Sequence, residues 1–199
     1  MNIARFRPEF EARRFYLVLS GILVGGILGV GSALFAVKTV SDTESPRIGA
    51  WQALADPQAA EPNFWLRTAW ALSGQFTLRG DTPVHYTAIA DDAGDRLKAN
   101  CTYHLNGPAI GADWWSLAVY GKDHAPVTTA AGRWSVTADD ARPDSPARVQ
   151  IQIGGSDPGG LWIPTGDGEG TISMTLRVYA PDALLGDGDL FSIDRDACG

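Results

Sequence analysis

The sequence predicts a mainly β fold: an antiparallel β-sandwich or jelly roll, preceded by one N-terminal membrane-spanning helix and a short second helix. Three observations predict it. Residues 15–37 carry no charged side chain, apolar residues downstream of Phe76 recur at every second position in five separate stretches, and Asp, Gly and Pro divide those stretches. The chain has 199 residues, 45% of them hydrophobic, enough for one packed domain plus an additional element.

The first element follows from the charge pattern. Residues 1–40 hold Arg5, Arg7, Arg13, Arg14 and Lys38 against Glu9 and Glu11, a net of +3, so the remainder carries −10 of the total of −7. A nucleic-acid partner is not expected, because phosphate neutralisation needs clustered Lys and Arg that the acidic remainder lacks. The 23 uncharged residues Phe15 to Val37 suffice to cross a hydrocarbon core of roughly 30 Å as a helix. Four Arg before the span against a single Lys just after it place the N-terminus in the cytoplasm and the acidic domain outside it. A cleaved signal peptide is the rival reading, with Gly31-Ser32-Ala33 as small residues, but the apolar run exceeds the usual length of such a segment. Arg13-Arg14 also suggest a twin-arginine signal, which the strongly hydrophobic run argues against. Within the span, Gly21, Gly25 and Gly29 repeat every fourth position with Ala33 next in line, a face on which another helix backbone can approach closely. The resulting organisation is a cytoplasmic tail at 1–14, a transmembrane helix at 15–37, a linker and contact arm at 38–61, and a periplasmic domain at 62–199.

Between Pro62 and Ser73-Gly74, Trp65, Ala69 and Leu72 follow helical spacing with Leu66 and Trp70 beside them, which predicts the short helix. The period then changes to two. Leu97, Ala99, Cys101, Tyr103 and Leu105 share one face of a strand, and the same alternation places Trp115, Leu117 and Val119 together. It also groups Trp134 with Val136, Val149 with Ile151 and Ile153, and Ile172 with Met174, Leu176 and Val178. The stretch "LWIPTGDGEGTISMTLRVYAP", residues 161–181, reads as two strands joined by a Gly-rich hairpin tip, with Pro164 ending the incoming strand. A calcium loop is the competing reading, but the twelve-residue spacing and terminal Glu of an EF-hand are absent. Gly186 to Asp189 reads as a solvated turn.

Cys101 and Cys198 are the two cysteines, and outside the cytoplasm such a pair is expected to form a disulfide, with two unpaired buried thiols as the alternative. No metal or other cofactor is expected. Neither cysteine has a second Cys or His at ligand spacing, and His85, His104 and His124 fall in separate segments. None of the nucleophile-elbow, zinc-protease or phosphate-loop motifs occurs, so no catalytic residue is assigned. The alternation turns Trp115 and Trp134 towards the core. Trp114 and Trp162, with Arg177, are the side chains from which a pocket in the sandwich would be built.

Taken in order, Cys101-Thr102-Tyr103-His104-Leu105-Asn106-Gly107-Pro108, Trp114-Trp115-Ser116-Leu117, Leu161-Trp162-Ile163-Pro164 and Thr175-Leu176-Arg177-Val178-Tyr179-Ala180-Pro181 resemble the bacterial domain-of-unknown-function-1214 family in its short, single-span, exported form. The resemblance runs from about Ile48 to Gly199 and takes in both cysteines. Where the family shows Asn before the Trp-Leu-Pro step and Asp after Leu-Arg-Leu-Tyr, this chain has Leu161 and Ala180. The resemblance implies a jelly roll which, in longer relatives, follows a domain of the family numbered 1254, and in short forms occurs beside a separately encoded chain of that kind. It implies no enzymatic activity. The expected function is a non-enzymatic assembly or accessory subunit that pairs with another membrane or periplasmic protein. The alternative is a periplasmic small-molecule or glycan-binding module, or an enzyme, with its pocket in the sandwich.

Overall fold

The computed structural model describes residues 8–53, 64–73, 83–141, 148–165, 170–181 and 185–199. Its first element, helix α1 (Pro8–Glu44), is longer than the uncharged run that predicts it, because Arg13-Arg14 and the segment beyond Val37 continue the same helix. Residues 12–40 are long and apolar enough to cross a membrane; residues 12–32 are exposed throughout, while Ala33, Ala36, Val37 and Val40 are half-buried.

Residues read as a linker then enter the sheet. Strands β1 (Arg47–Ile48) and β2 (Trp51–Ala53) form a tight hairpin through Gly49, whose φ of 58° suits a residue without Cβ. The second helix, α2 (Phe64–Ser73), falls where the periodicity places it and packs against α1. It buries Leu66, however, and leaves the predicted stripe residues Trp65 and Leu72 outward.

The remaining strands are β3 (Val84–Ala88), β4 (Cys101–Pro108), β5 (Ala112–Tyr120), β6 (Ser135–Thr137), β7 (Arg148–Ile153), β8 (Trp162–Ile163), β9 (Ser173–Pro181) and β10 (Ser192–Cys198). They make a six-stranded sheet in the order β1-β2-β3-β9-β5-β6 and a four-stranded sheet in the order β10-β4-β7-β8. Every neighbouring pair is antiparallel except β7–β8. The two sheets face each other as a sandwich. Period-two alternation dictates what fills it: Leu105, Ile151, Ile153 and Ile193 from the smaller sheet meet Tyr86, Leu117, Met174 and Leu176 from the larger, all at most 2% exposed. Each such side chain contributes about 1.5–3 kcal/mol relative to remaining in water.

Two expectations change at this level. Residues 161–181 do not form a hairpin: β8 lies in the four-stranded sheet beside β7, β9 lies in the six-stranded sheet, and the segment between them crosses from one layer to the other. The Gly-Asp-Gly-Glu tip itself, residues 166–169, lies outside the described residues. Pro164 does follow directly on the last residue of β8. Trp134 is 42% exposed rather than in the core, because β6 begins only at Ser135 and Val136 alone carries its inward position. Gly186 to Asp189 forms the turn read from the sequence, the Asp189 carboxylate accepting the Gly186 N–H at 2.8 Å.

Cys101 and Cys198 are joined by a disulfide. It closes the β10–β4 ladder at its end, across a register shift between Arg195 and Cys198. Behind it, Gly154 lies with φ 77° against the Cys101 carbonyl, so that a side chain at this position would collide with the strand.

Candidate functional site

The three side chains considered for a pocket between the sheets are not brought together there. Trp114 and Arg177 are out of phase with the inward positions Trp115, Leu176 and Val178, so both stand on the outer face of the six-stranded sheet. There the Trp114 indole N–H donates to Asp139 Oδ2 at 2.8 Å, and its ring meets Tyr179 edge-on at 5.3 Å. Trp162 belongs to the other sheet, where it is paired with Gln152 and its indole N–H donates to the Gly154 carbonyl at 2.9 Å. Tryptophan hydrogen-bonded in this way is a packing element with its polar end satisfied.

Arg177 does gather a polar group around it. One Nη2 donates to the Tyr120 hydroxyl at 2.8 Å, and the guanidinium lies 5.6 Å from that ring's centre. Directly across the β3–β9 ladder stands His85, 9% exposed, with no hydrogen-bond partner for its buried Nδ1. Burial, and then the neighbouring Arg177 charge, lower the His85 pKa from 6.5 to about 4, so the imidazole is neutral at physiological pH. The other two histidines are elsewhere: His104 is on β4 with its Nε2 3.7 Å from Asp196, and His124 is in the turn after β5 at φ 60°. Among the described residues, no three His, Cys, Asp or Glu side chains are close enough together to hold a metal ion.

A groove of about 730 Å³ opens elsewhere, at the end of the sandwich from which α1 emerges. The β1–β2 hairpin, residues 87–96 and residues 187–192 line it, with Ile48, Ile89 and Leu190 as apolar surface and Arg47 and Arg96 as basic groups. Two of its three carboxylates, Asp91 and Asp92, are engaged in structure. Asp91, 3% exposed, accepts the Asp95 N–H at 2.8 Å and pairs with Arg195 Nη2 at 2.9 Å, while Asp92 accepts the Ile193 N–H at 2.8 Å. These bonds tie the 91–96 loop to β10 and fix one wall. Trp51 forms part of another wall, donating from Nε1 to the Phe191 carbonyl at 2.6 Å. Sequence reading did not find this groove, because its residues come from three distant segments, each with short alternation. The aromatic Trp51 next to a Gly-Ala step was the one signal available.

A two-sheet sandwich following an exposed apolar helix is thus the class of protein that this chain represents. Residues 82–183, half of the chain, match the family described as "Protein of unknown function (DUF1214)", and the chain belongs to that family. No curated protein matches it. Among solved structures it is similar to the VPA0106 protein from Vibrio parahaemolyticus, with 17% identity and a TM-score of 0.57 over 98% of this chain and 47% of that one. An uncharacterised protein from Burkholderia cenocepacia aligns at 11% identity and a TM-score of 0.42, over 90% of this chain and 52% of that one. The chain therefore spans about half the length of the solved structures it matches.

Proposed function

We propose that this protein is a non-enzymatic accessory subunit of the bacterial inner membrane. Its N-terminus lies in the cytoplasm, α1 crosses the bilayer, and the sandwich stands in the periplasm paired with another envelope protein. The observation that carries the reading is the bare apolar length of α1: Phe15, Ile22, Leu23, Ile27, Leu28 and Phe35 are each more than half exposed, a surface that lipid accommodates and water does not. The Arg-rich start of α1 favours the stated orientation, and the Cys101–Cys198 disulfide suits an oxidising compartment. Two features favour a partner. Among the described residues a Cβ added at Gly21, Gly25 or Gly29 meets nothing within 4 Å, so these glycines leave a face of α1 open to a second helix, whereas Ala33, next in line, is half-buried. The resemblance to the short, single-span forms of the family also favours a partner, for which a separately encoded 1254-type domain is the candidate.

The 730 Å³ groove favours a second reading, a periplasmic small-molecule or glycan-binding module, since its volume lies in the range of ligand sites. Copurification from native membranes in mild detergent, with mass spectrometry of what accompanies the chain, separates the two. The subunit reading expects a stoichiometric envelope partner. Recovery of the chain alone would shift the assignment to ligand binding at the groove.

A further inference from the structure

We infer that α2 is a membrane-interface element, immersed beside α1 at the headgroup boundary of the outer leaflet, with Phe64, Trp65 and Leu72 in contact with lipid. The inference rests on α1 being a transmembrane helix and adds a second membrane contact to it.

Depth is the first argument. The described half-buried side chains of α1 are Ala33, Ala36, Val37 and Val40, a single stripe at i, i+3, i+4 and i+7. Because α1 packs against α2, this stripe marks where the second helix rests. The apolar length runs from Ala12 to Val40, about 43 Å at 1.5 Å per residue, so its middle falls near Gly26. Ala33 to Val40 then lie about 10–21 Å from the bilayer centre, spanning the edge of a hydrocarbon core whose half-thickness is about 15 Å. A helix lying on that stripe is at the same depth.

The surface of α2 is the second argument. On a helical projection Leu66 and Ala69 occupy the covered side, while Phe64, Thr68 and Leu72 fall at i, i+4 and i+8 on the opposite side with Trp65 next to them. Phe64 is 72% exposed, Leu72 69% and Trp65 37%, and the Phe64 and Trp65 rings stack edge-to-face at 5.4 Å. The helix has no acidic residue, and Arg67 is its only charged one. A short helix that is apolar on both its packed and its free sides is poorly suited to water. An exposed Trp with one Arg at the flank is the composition favoured where hydrocarbon gives way to headgroups, the Arg reaching outward to phosphate.

The test uses the full chain, disulfide intact, in vesicles of phosphatidylcholine and phosphatidylglycerol. Single cysteines introduced as Phe64→Cys, Thr68→Cys or Leu72→Cys carry an environment-sensitive fluorophore. Leu23→Cys serves as a mid-span control and Ala130→Cys as a solvent control. Quenching is read with lipids spin-labelled near the headgroup, with lipids labelled deep in the acyl chain, and with aqueous iodide. The expected result is quenching at positions 64, 68 and 72 mainly by the shallow lipid, at 23 mainly by the deep lipid, and at 130 by iodide alone. Deep quenching at 23 combined with iodide quenching at 64, 68 and 72 overturns the placement of α2 and leaves the anchor standing. Shielding of those three from both lipid and iodide overturns it too, in favour of a protein partner on that face. Absence of lipid quenching at 23 overturns the anchor itself, and with it this inference.

Discussion

His85 is where a single residue makes the sandwich sensitive to acid. Its imidazole is neutral when folded, with a pKa near 4 against 6.5 in the unfolded chain, so between those values the unfolded state binds the additional proton. Stability is therefore complete above about pH 6.5, falls as the pH drops towards 4, and below that loses nothing more from this group. The largest loss is about 3 kcal/mol, on 1.36 kcal/mol for each unit of pKa difference. Urea denaturation at pH 7.5, 5.5 and 4 measures it, with His85→Gln as the comparison. Every other titratable group is common to both proteins, so the difference between the two slopes isolates His85. Equal slopes would show that the buried ring does not resist protonation.

At the scale of elements, the lesson lies in which strands were legible. Strands β4, β5, β7 and β9 have six to nine residues, long enough for Leu105, Leu117, Ile151 or Leu176 to repeat an inward position, and each was read correctly from period two. Strands β1 and β2 have two or three residues, too few to display a period, so an arm was expected where Trp51 and Ala53 enter the core. Alternation also carries no information about which sheet a strand joins, which is why β8 and β9 read as one hairpin. The candidate site was less visible still. The cysteine pair and Arg177 stood out as residue types, whereas the His85–Arg177 pairing depends on the β3–β9 register and the groove on three separate segments. The family match begins at residue 82, yet β2 pairs with β3 and Trp51, 1% exposed, spans to Phe191. We therefore expect Trp51→Ala to cost about 3–5 kcal/mol through the cavity and the lost indole bond. A denaturation midpoint unchanged from wild type would mean that the β1–β2 hairpin is an accessory to the fold rather than a part of it.

The whole molecule divides into two parts under different physical control. The sandwich is held by its own core and disulfide, while most of α1 offers its surface to whatever surrounds it. Stability and assembly should consequently respond to different substitutions. At Gly21, Gly25 and Gly29 an added Cβ meets no other described part of the chain within 4 Å, so Gly25→Leu clashes with nothing described and exchanges a weak helix former for a good one. We expect the unfolding midpoint of the sandwich to be unchanged in that variant. A partner helix seated on the glycine face would, in contrast, be driven away by the larger side chain, and a loss of about 1.4 kcal/mol of contact already lowers its affinity tenfold. Recovery of the copurifying partner, quantified with Gly25→Leu and then with all three glycines replaced by Leu, measures this second response. Recovery falling at constant sandwich stability places the recognition surface in the bilayer. Undiminished recovery moves it to the periplasmic sandwich, where the groove beside the β1–β2 hairpin and the outer face around Arg177 become the surfaces to alter next.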